Sequence, residues 1–502
     1  MISFARAAVL GNARHRVGAN LNKSHWAKMM IGLVSVAIFG TASTDSSASP
    51  PTSKVLWGTA MEIRGLPTRN LLFGSDLFSV SCASVGNCSA GGNYALNAKR
   101  SQAFVVDESH GVWGKAQAVP GFTPRDASEN TQVSVISCPS AGNCSAGGIY
   151  SVRDNNTLIF VMSEKNGTWG HAIEVPGSAR VDSGGGGFIT TISCPSVGNC
   201  SAGGILPVAY SSTISGAFVV DEANGVWGKA LELTGPQSFN RNGAGVDSLS
   251  CASVGNCSAG GTFPKGSHGD PSFVVNETNG TWGPAREIPG FAKLDAGGSS
   301  ELRSISCGAP GNCSAVGQYQ QKSGVTRAYI VGESKGTWGP AFNVPGLTKL
   351  NGRHMSSLTT ISCSSKGNCS AGGYYGNGNH QIAFIVDEKD GIWGTPMAIP
   401  GLVALNKGHT SYMQTISCVS MGNCGGSGTY SDAAGNAQSF LVNETNGTWG
   451  PATAIQGLRK IKADSTDVLS ISCATPFSCS AVGGFSAPNN NGAVVVSTKA
   501  QH

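Results

Sequence analysis

The sequence predicts an all-β protein, an eight-bladed β-propeller of four-stranded antiparallel blades whose last blade is closed by the N-terminal strand. Three observations predict this fold. A unit of 55 to 57 residues recurs along the 502-residue chain, each unit contains four short segments with the composition of β-strands, and the two chain ends carry complementary parts of one unit. A period of this length is typical of propellers and solenoids.

The composition agrees with a turn-rich β protein. Charged residues make up only 12% of the chain and 71 residues are glycine, which indicates many turns and closely packed strands. The formal net charge of +5 is spread over the whole length, and lysine and arginine form no block outside the extreme N-terminus. We therefore expect no binding to nucleic acid.

Residues 1–50 differ from the rest of the chain and predict a signal peptide or targeting segment with a linker. Basic residues such as Arg14, Arg16 and Lys23 precede an apolar run over 29–40, and small residues follow it. The run is shorter than the ~20 residues that span a bilayer, so we expect no stable membrane span and a secreted or cell-surface protein. A non-cleaved anchor and a later translation start are the alternatives. Residues 51–502 are expected to form one propeller domain.

All sixteen cysteines belong to the repeat, and we expect one disulfide in each blade. Five residues separate the partners, which flank a turn between antiparallel strands, where Cα atoms about 5.5 Å apart suit a disulfide. Eight such bridges point to an oxidising compartment. Metal binding is the less favoured alternative, because zinc ligands usually sit two to four residues apart and two pairs must converge; no metal or other cofactor is expected. The predicted pairs are Cys82 with Cys88, Cys138 with Cys144, Cys194 with Cys200, Cys251 with Cys257, Cys307 with Cys313, Cys363 with Cys369, Cys418 with Cys424, and Cys473 with Cys479.

The unit that begins at Leu358 illustrates the four predicted strands. It contains LTTISC, CSAGGYY, IAFIVDE and IWGTPMAIPG, joined by the turns SSKGN and KDG and by a variable loop. The β-branched and aromatic content and the Gly, Asn and Asp turns are typical of hairpins. No window has a convincing apolar period of 3.6 residues, which argues against helices.

The two chain ends predict how the ring closes. Trp57 begins a fourth-strand segment with no cysteine pair before it, whereas Cys473, Cys479 and the segment near Val494 have no Trp-Gly pair after them. Pairing these ends leaves no open sheet edge, which would invite aggregation. A linear solenoid, the alternative, needs capping repeats, and the sequence contains none.

Seven turns with the pattern Gly-x-Trp-Gly recur before the fourth segment, as in KNGTWG and TNGTWG. The pattern resembles the Asp-box of sialidase-like (BNR-repeat) propellers, a Ser-x-Asp-x-Gly-x-Thr-Trp hairpin between the third and fourth strands. Only the Gly-x-Trp part is constant here, and the aspartate position is usually Lys, Ala, Thr or Ser. The resemblance implies the propeller fold. The box is structural in that family, and the arginine triad, tyrosine nucleophile and paired acids of sialidases have no assignable counterparts, so no catalytic residue is carried over.

Seven glutamates end the third segments. Their recurrence in seven blades favours a repeated structural contact at the turn over catalysis. They are Glu108, Glu164, Glu222, Glu277, Glu333, Glu388 and Glu444.

Alternating strand direction predicts two unlike faces. The cysteine turns and the Gly-x-Trp turns share a constant face, while the remaining loops share a variable face, where binding residues are expected. The residues before each first strand should ring the mouth of the central channel. This ring contains Asp76, Gln132, Phe188, Asp247, Glu301 with Arg303, His354, Tyr412 and Asp467.

Two overlapping sets of candidate residues follow from this ring and from the histidines of the variable loops. His268, His354, His380 and His409 fall in loops of neighbouring blades, which permits a metal or general-base site, although solvated loop histidines are commoner. The binding candidates are Asp76, Asp247, Arg303, His354, His380, Tyr412 and Asp467. The catalytic candidates are Asp247, Glu301, Arg303, His354, His409 and Tyr412.

Three hypotheses for function remain open. The first is a monomeric, non-catalytic extracellular propeller that binds a glycan or a cell-surface protein through the variable face, and it is favoured because the chain contains no nucleophile, phosphate-loop or metal motif. The second is a carbohydrate-active enzyme, a glycosidase or polysaccharide lyase, with its site at the channel mouth. The third is a structural cell-surface protein.

Overall fold

The computed structural model describes residues 55–499 apart from short gaps. The gaps cover residues 67–73, 98, 122–129, 152–156, 179–185, 208–214, 237–238, 240–242, 266–268, 295, 352–353, 459–462 and 489. The predicted targeting segment and His268 lie outside the described residues.

The strands form eight antiparallel sheets, the blades, whose strands we label A to D from the axis outwards. Strands A are Ser75–Ser84, Thr131–Ser140, Phe188–Ser196, Gly245–Ser253, Ala296–Ala309, Ser356–Ser365, Ser411–Ser420 and Ser465–Thr475. Strands B are Asn87–Asn97, Asn143–Ser151, Asn199–Pro207, Asn256–Thr262, Asn312–Gln321, Asn368–Asn377, Asn423–Ser431 and Ser478–Ala487. Strands C are Arg100–Ser109, Thr157–Lys165, Ser215–Ala223, Ser272–Thr278, Thr326–Ser334, His380–Lys389, Ala437–Thr445 and Asn490–Ser497.

The outermost strand D is short and, in the first seven blades, divided into two pieces that both pair with strand C. The pieces that come first in the chain are Val112–Trp113, Thr168–Trp169, Val226–Trp227, Thr281–Trp282, Thr337–Trp338, Ile392–Trp393 and Thr448–Trp449. The pieces that follow them are Gln117–Ala118, Ile173–Glu174, Leu231–Glu232, Arg286–Glu287, Phe342–Asn343, Met397–Ala398 and Thr453–Ala454. Among the described residues of the blade-to-blade loops, three short segments are helical: a 3-10 turn at Phe291–Leu294, α1 at Leu347–Asn351 and α2 at Leu402–Leu405.

The eighth blade takes its strand D from the N-terminal part of the chain, as predicted. Met61–Glu62 pairs with strand C of this blade, where Met61 faces Val495 and Glu62 faces Val494. The N–H of Gly58 also donates to the carbonyl of Ser497 at 2.8 Å. Each strand A contacts the strands A of both neighbouring blades, including the first and the eighth. The eight-bladed closed ring is therefore confirmed.

Apolar side chains fill the space between blades. Leu77 and Val80 of the first blade pack with Val482 and Val495 of the eighth, and all four are buried. Equivalent clusters lie between the other blades. Burial of such side chains is the main source of free energy for holding the ring together.

The serine before the first cysteine of each blade links neighbouring blades around the axis. In all eight blades its Oγ accepts a hydrogen bond from the N–H of the first cysteine in the next blade, at 2.8–3.1 Å. Strand A is the inner edge of its sheet, so this N–H has no partner within the sheet. The repeated Ser-Cys dipeptide thus supplies both groups of an inner belt of hydrogen bonds, which Ser472 and Cys82 close.

All eight predicted disulfides are present, but their Cα atoms lie 3.9–4.1 Å apart and not near 5.5 Å as expected. The first cysteine directs its N–H towards the neighbouring blade, so the two cysteines do not exchange backbone hydrogen bonds. Residues in such non-hydrogen-bonded pairs approach more closely than hydrogen-bonded pairs.

The constant face is built from two kinds of turn that bond to each other. In the seven Gly-x-Trp turns the first residue has φ between 49° and 52° and the glycine has φ between 77° and 81°, as in type I′ turns. The glycine N–H donates to a glycine carbonyl of the cysteine turn in the same blade at 2.8–2.9 Å. The glycine is the second residue of this two-residue turn, and one residue lies between it and the tryptophan. In the Asp-box pattern, two residues lie between the glycine and the tryptophan. The resemblance is therefore confined to the position of the hairpin and its tryptophan.

Seven of the eight repeat tryptophans donate their indole N–H to a side chain on strand C of the preceding blade, at 2.6–3.3 Å. The residue that accepts lies just before the strand C glutamate, or at the equivalent position in the last blade. The donor and acceptor pairs are Trp57 with Asn443, Trp113 with Ser497, Trp169 with Asp107, Trp227 with Ser163, Trp282 with Asp221, Trp338 with Asn276, and Trp449 with Asp387.

The sequence predicted a contact at the turn for the strand C glutamates, but their side chains lie between blades. Glu222 accepts hydrogen bonds from Ser145 and Ser163 of the preceding blade at 2.8 and 2.7 Å. Three other glutamates face an aspartate of the preceding blade, and burial followed by the aspartate's charge raises their pKa to about 7, 7 and 8. These pairs are Glu164 with Asp107, Glu277 with Asp221, and Glu444 with Asp387.

The junction between the fifth and sixth blades lacks two of the repeated contacts. Gly332 occupies the acceptor position, so Trp393 has no side-chain acceptor there among the described residues. Pro396 replaces the alanine whose N–H donates to the preceding blade at the other seven junctions, at 2.7–2.8 Å. This junction therefore depends on apolar packing more than the others do.

Within the part of the chain that the structure describes, no helix has the length and apolar character needed to cross a bilayer.

Candidate functional site

The channel mouth is formed where the strands A reach the variable face. Most residues predicted to precede the first strands lie within strand A, because its pairing with strand B continues to this face; only His354 precedes its strand. Two positions carry the differences between blades, six and four residues before the first cysteine. The first position holds Asp76, Gln132, Phe188, Gly245, Glu301, Ser357, Tyr412 and Asp467. The second holds Phe78, Ser134, Thr190, Asp247, Arg303, Thr359, Gln414 and Leu469.

Two acids, Asp76 and Asp467, come together where the first and eighth blades meet. The carboxylate of Asp76 reaches solvent, but protein surrounds it on most sides. This desolvation, and then the charge of Asp467, raise the pKa of Asp76 to about 6. Burial also raises the pKa of Asp467, against the effect of a hydrogen bond from Gln414. Burial, and then the charge of Asp467, also raise the pKa of Tyr412. A carboxyl that is partly protonated near neutral pH can both donate and accept a proton.

A second charged group lies across the ring, on the fifth and sixth blades. Nη2 of Arg303 is 2.8 Å from Oε2 of Glu301 in a half-exposed ion pair, and Gln318 donates to the same carboxylate at 3.0 Å. Both charged groups act on the hydroxyl of Tyr374. Nε of Arg303 is buried and has no hydrogen-bond partner. A guanidinium in this setting favours an oxyanion or a carboxylate.

The structure brings two of the four predicted histidines together. The rings of His380 and His409 have centroids 4.4 Å apart, whereas His354 is exposed on the other side of the sixth blade, where its carbonyl accepts from Arg327. Asp247 acts electrostatically on Tyr329 together with Glu301. Among the predicted residues, the structure thus brings together Asp76 with Asp467, Glu301 with Arg303, and His380 with His409.

Several residues of these groups were missed from the sequence, chiefly Gln318, Tyr374 and Gln414. The first two lie on strand B directly opposite Glu301 and Ser357. The register could have been counted outwards from each cysteine pair, allowing one bulge between them. Gln414 could not have been found in this way, because its contact crosses to another blade.

A small cleft opens on the variable face beside α1. It has a volume of about 130 Å³ and is lined by Tyr319, Arg327, Asn343, Thr348 and Ser356, among others. Pockets for small molecules usually measure about 300–1,000 Å³, so this cleft suits a single polar group of a larger ligand. In the described residues, no group of three or more His, Cys, Asp or Glu side chains is arranged to hold a metal ion.

Comparisons with known proteins identify no family. No family model matches the chain, and no curated protein matches it.

Solved structures include distant propellers. Sqt1 from Chaetomium thermophilum, bound to the N-terminus of the ribosomal protein L10, is 11% identical, with 85% of this chain and 97% of that chain covered and a TM-score of 0.48. A PL25 ulvan lyase bound to a sugar ligand is 11% identical, covers 70% of this chain and 89% of its own, and has a TM-score of 0.43. The GH74 xyloglucanase from Xanthomonas campestris is 10% identical, covers 87% and 60%, and has a TM-score of 0.46. These similarities are too weak to carry an inference about function.

Proposed function

We propose that this protein is an extracellular propeller that binds a glycan or a cell-surface protein through its variable face, around the channel mouth. The observation that carries the proposal is the contrast between the two faces. The turns of the constant face are joined to each other in seven blades, whereas the channel mouth carries acids, an arginine, amides and aromatic side chains that differ from blade to blade. Residues that the scaffold does not require are the usual place for recognition.

The chemistry of the mouth suits a polyhydroxylated or charged ligand. Carboxylates and amides on opposite walls, such as Asp467 with Gln414 and Glu301 with Gln318, accept and donate hydrogen bonds. Arg303 supplies a positive charge for an acidic group. The small volume of the cleft beside α1 supports recognition of an extended surface over enclosure of a small molecule. Secretion through the segment 1–50 belongs to the same proposal, and eight disulfides are typical of proteins that fold in oxidising compartments.

The test is a glycan array and a pull-down from cell surfaces with the full chain and single variants. Arg303→Ala and Asp76→Asn should each weaken binding of any ligand found. Lys366→Ala, an exposed change in a cysteine turn of the constant face, is the matched control and should bind normally. Unchanged binding by both mouth variants, or loss of binding by the control alone, would contradict the proposal.

A carbohydrate-active enzyme is the second candidate, and one observation favours it. Asp76, with a pKa of about 6, stands beside Asp467, and glycosidases use one protonated and one ionised carboxyl group. Turnover on a polysaccharide panel that Asp76→Asn abolishes and Asp247→Asn leaves intact would establish this site. Ligand binding without turnover would favour the first proposal. High abundance with tight wall association, but neither ligand nor turnover, would favour a structural role.

A further inference from the structure

His380 and His409 form a pair of imidazoles across the boundary between the sixth and seventh blades. Their ring centroids are 4.4 Å apart with an interplanar angle of 42°, and both residues are exposed on the variable face. His380 is the first residue of its strand, and His409 lies in the loop before strand A of the next blade. The fold therefore brings together two histidines that are separated by about half of a repeat unit in sequence.

The backbone holds the two rings in place. The N–H of Gln381, next to His380, donates to the carbonyl of His409 at 3.2 Å, and Gln381 and Thr410 form a β-bridge. His409 has a φ of 65°, a left-handed conformation that is uncommon for residues other than glycine. A strained backbone that presents a side chain is found more often at functional sites than elsewhere.

We infer that His380 and His409 bind one divalent transition-metal ion of the zinc or copper type. Neutral imidazole is a preferred ligand of Zn²⁺, Cu²⁺ and Ni²⁺, and Cu²⁺ binds such sites most tightly. With metal–nitrogen distances of about 2.0–2.1 Å, two imidazoles on one ion hold their ring centres roughly 4.5–5.5 Å apart. The observed separation lies just below this range, and exposed side chains can open by such a small amount.

The remaining coordination positions are open. The described residues supply no third His, Cys, Asp or Glu to the pair, so water, or a carboxylate or hydroxyl group of an external molecule, completes the shell. Lys407 is the nearest charged residue to His409 in sequence, and the backbone carbonyl of Asp432 lies next to Gly408. The site is independent of the proposed function, because an ion binds this pair whether or not the channel mouth has a ligand.

The test is a titration of the untagged full chain with zinc chloride and with copper chloride, followed by calorimetry. The wild type should bind one ion at this site, and His380→Gln and His409→Gln should each weaken the affinity by at least about tenfold. His354→Gln, which removes an exposed histidine outside the pair, is the matched control and should bind like the wild type.

Two further readouts separate ligation from a general effect on the fold. Cu²⁺ should broaden the NMR signals of the His380 and His409 rings in the wild type. In each variant, the signal of the remaining histidine of the pair should no longer broaden. Zn²⁺ should raise the unfolding temperature of the wild type, because the ion joins two blades only when they are folded, and should not raise it in the variants. Absence of saturable binding, or equal binding by the wild type and both variants, would overturn the inference.

Discussion

Replacing Gly332 by asparagine should stabilise the propeller. At the equivalent position of the preceding blade, Oδ1 of Asn276 accepts the indole N–H of Trp338 at 2.8 Å. Gly332 leaves Trp393 without this partner, a Cβ added at Gly332 meets nothing within 4 Å, and its φ does not require glycine. The substitution should therefore restore the missing inter-blade hydrogen bond without strain.

The expected gain combines two terms. One hydrogen bond contributes about 0.5–1.5 kcal/mol, and replacing a glycine at a compatible position contributes about 0.4–1 kcal/mol through the unfolded chain. The sum of about 1–2.5 kcal/mol corresponds to a rise of only about 1–3 °C in unfolding temperature for a chain of this length. Chemical denaturation by urea, followed by tryptophan fluorescence, is therefore the better assay.

Two controls isolate the hydrogen bond. Gly332→Ala should give only the backbone part of the gain. In a double-mutant cycle, Trp393→Phe should remove the difference in stability between the Gly332→Asn and Gly332→Ala proteins. If Gly332→Asn were no more stable than Gly332→Ala, or if the difference survived the loss of the indole, the account of the junction between the fifth and sixth blades would be refuted.

Three more predictions concern the contacts between and within blades. The folded-state pKa values of Glu164, Glu277 and Glu444 are about 7, 7 and 8, above the ordinary value of 4.5. Because the folded state therefore binds more protons than the unfolded state, stability should fall as pH rises from about 4.5 to 8. Glu444→Gln should flatten the curve of unfolding temperature against pH, and a curve that rises over this range would refute the assignment. Ser472→Ala should cost about 1 kcal/mol in urea unfolding by leaving the N–H of Cys82 without its acceptor, and Ser137→Ala should cost the same if ring closure is equivalent to the other junctions. Replacing Cys363 and Cys369 together by serine should cost about 2 kcal/mol in the loop-entropy model, measured without reductant, and no loss relative to the wild type would show that the local disulfides do not stabilise the blades.

Much of the fold could be predicted because short local stretches of the sequence determine it. The cysteine spacing, the Gly-x-Trp turns and the four strands of a unit are local patterns, and the register of strands A and B can be counted from each cysteine pair. The incomplete units at the chain ends likewise identified the partner of the strand at Met61–Glu62. Even the detail that was wrong, the Cα separation of the cysteines, is local in origin and follows from the type of strand pair.

Contacts between blades are a different matter, because they join residues about one whole unit apart and depend on how one sheet packs against the next. The chain by itself determined the number of blades, the eight bridges and the closure, since each follows from a repeated local pattern or from complementary ends. Only the tertiary structure decided that Trp169 meets Asp107, that Asp76 shares its surroundings with Asp467, and that His380 faces His409. These contacts depend on the angle and spacing between neighbouring sheets, which the sequence of a single unit does not determine.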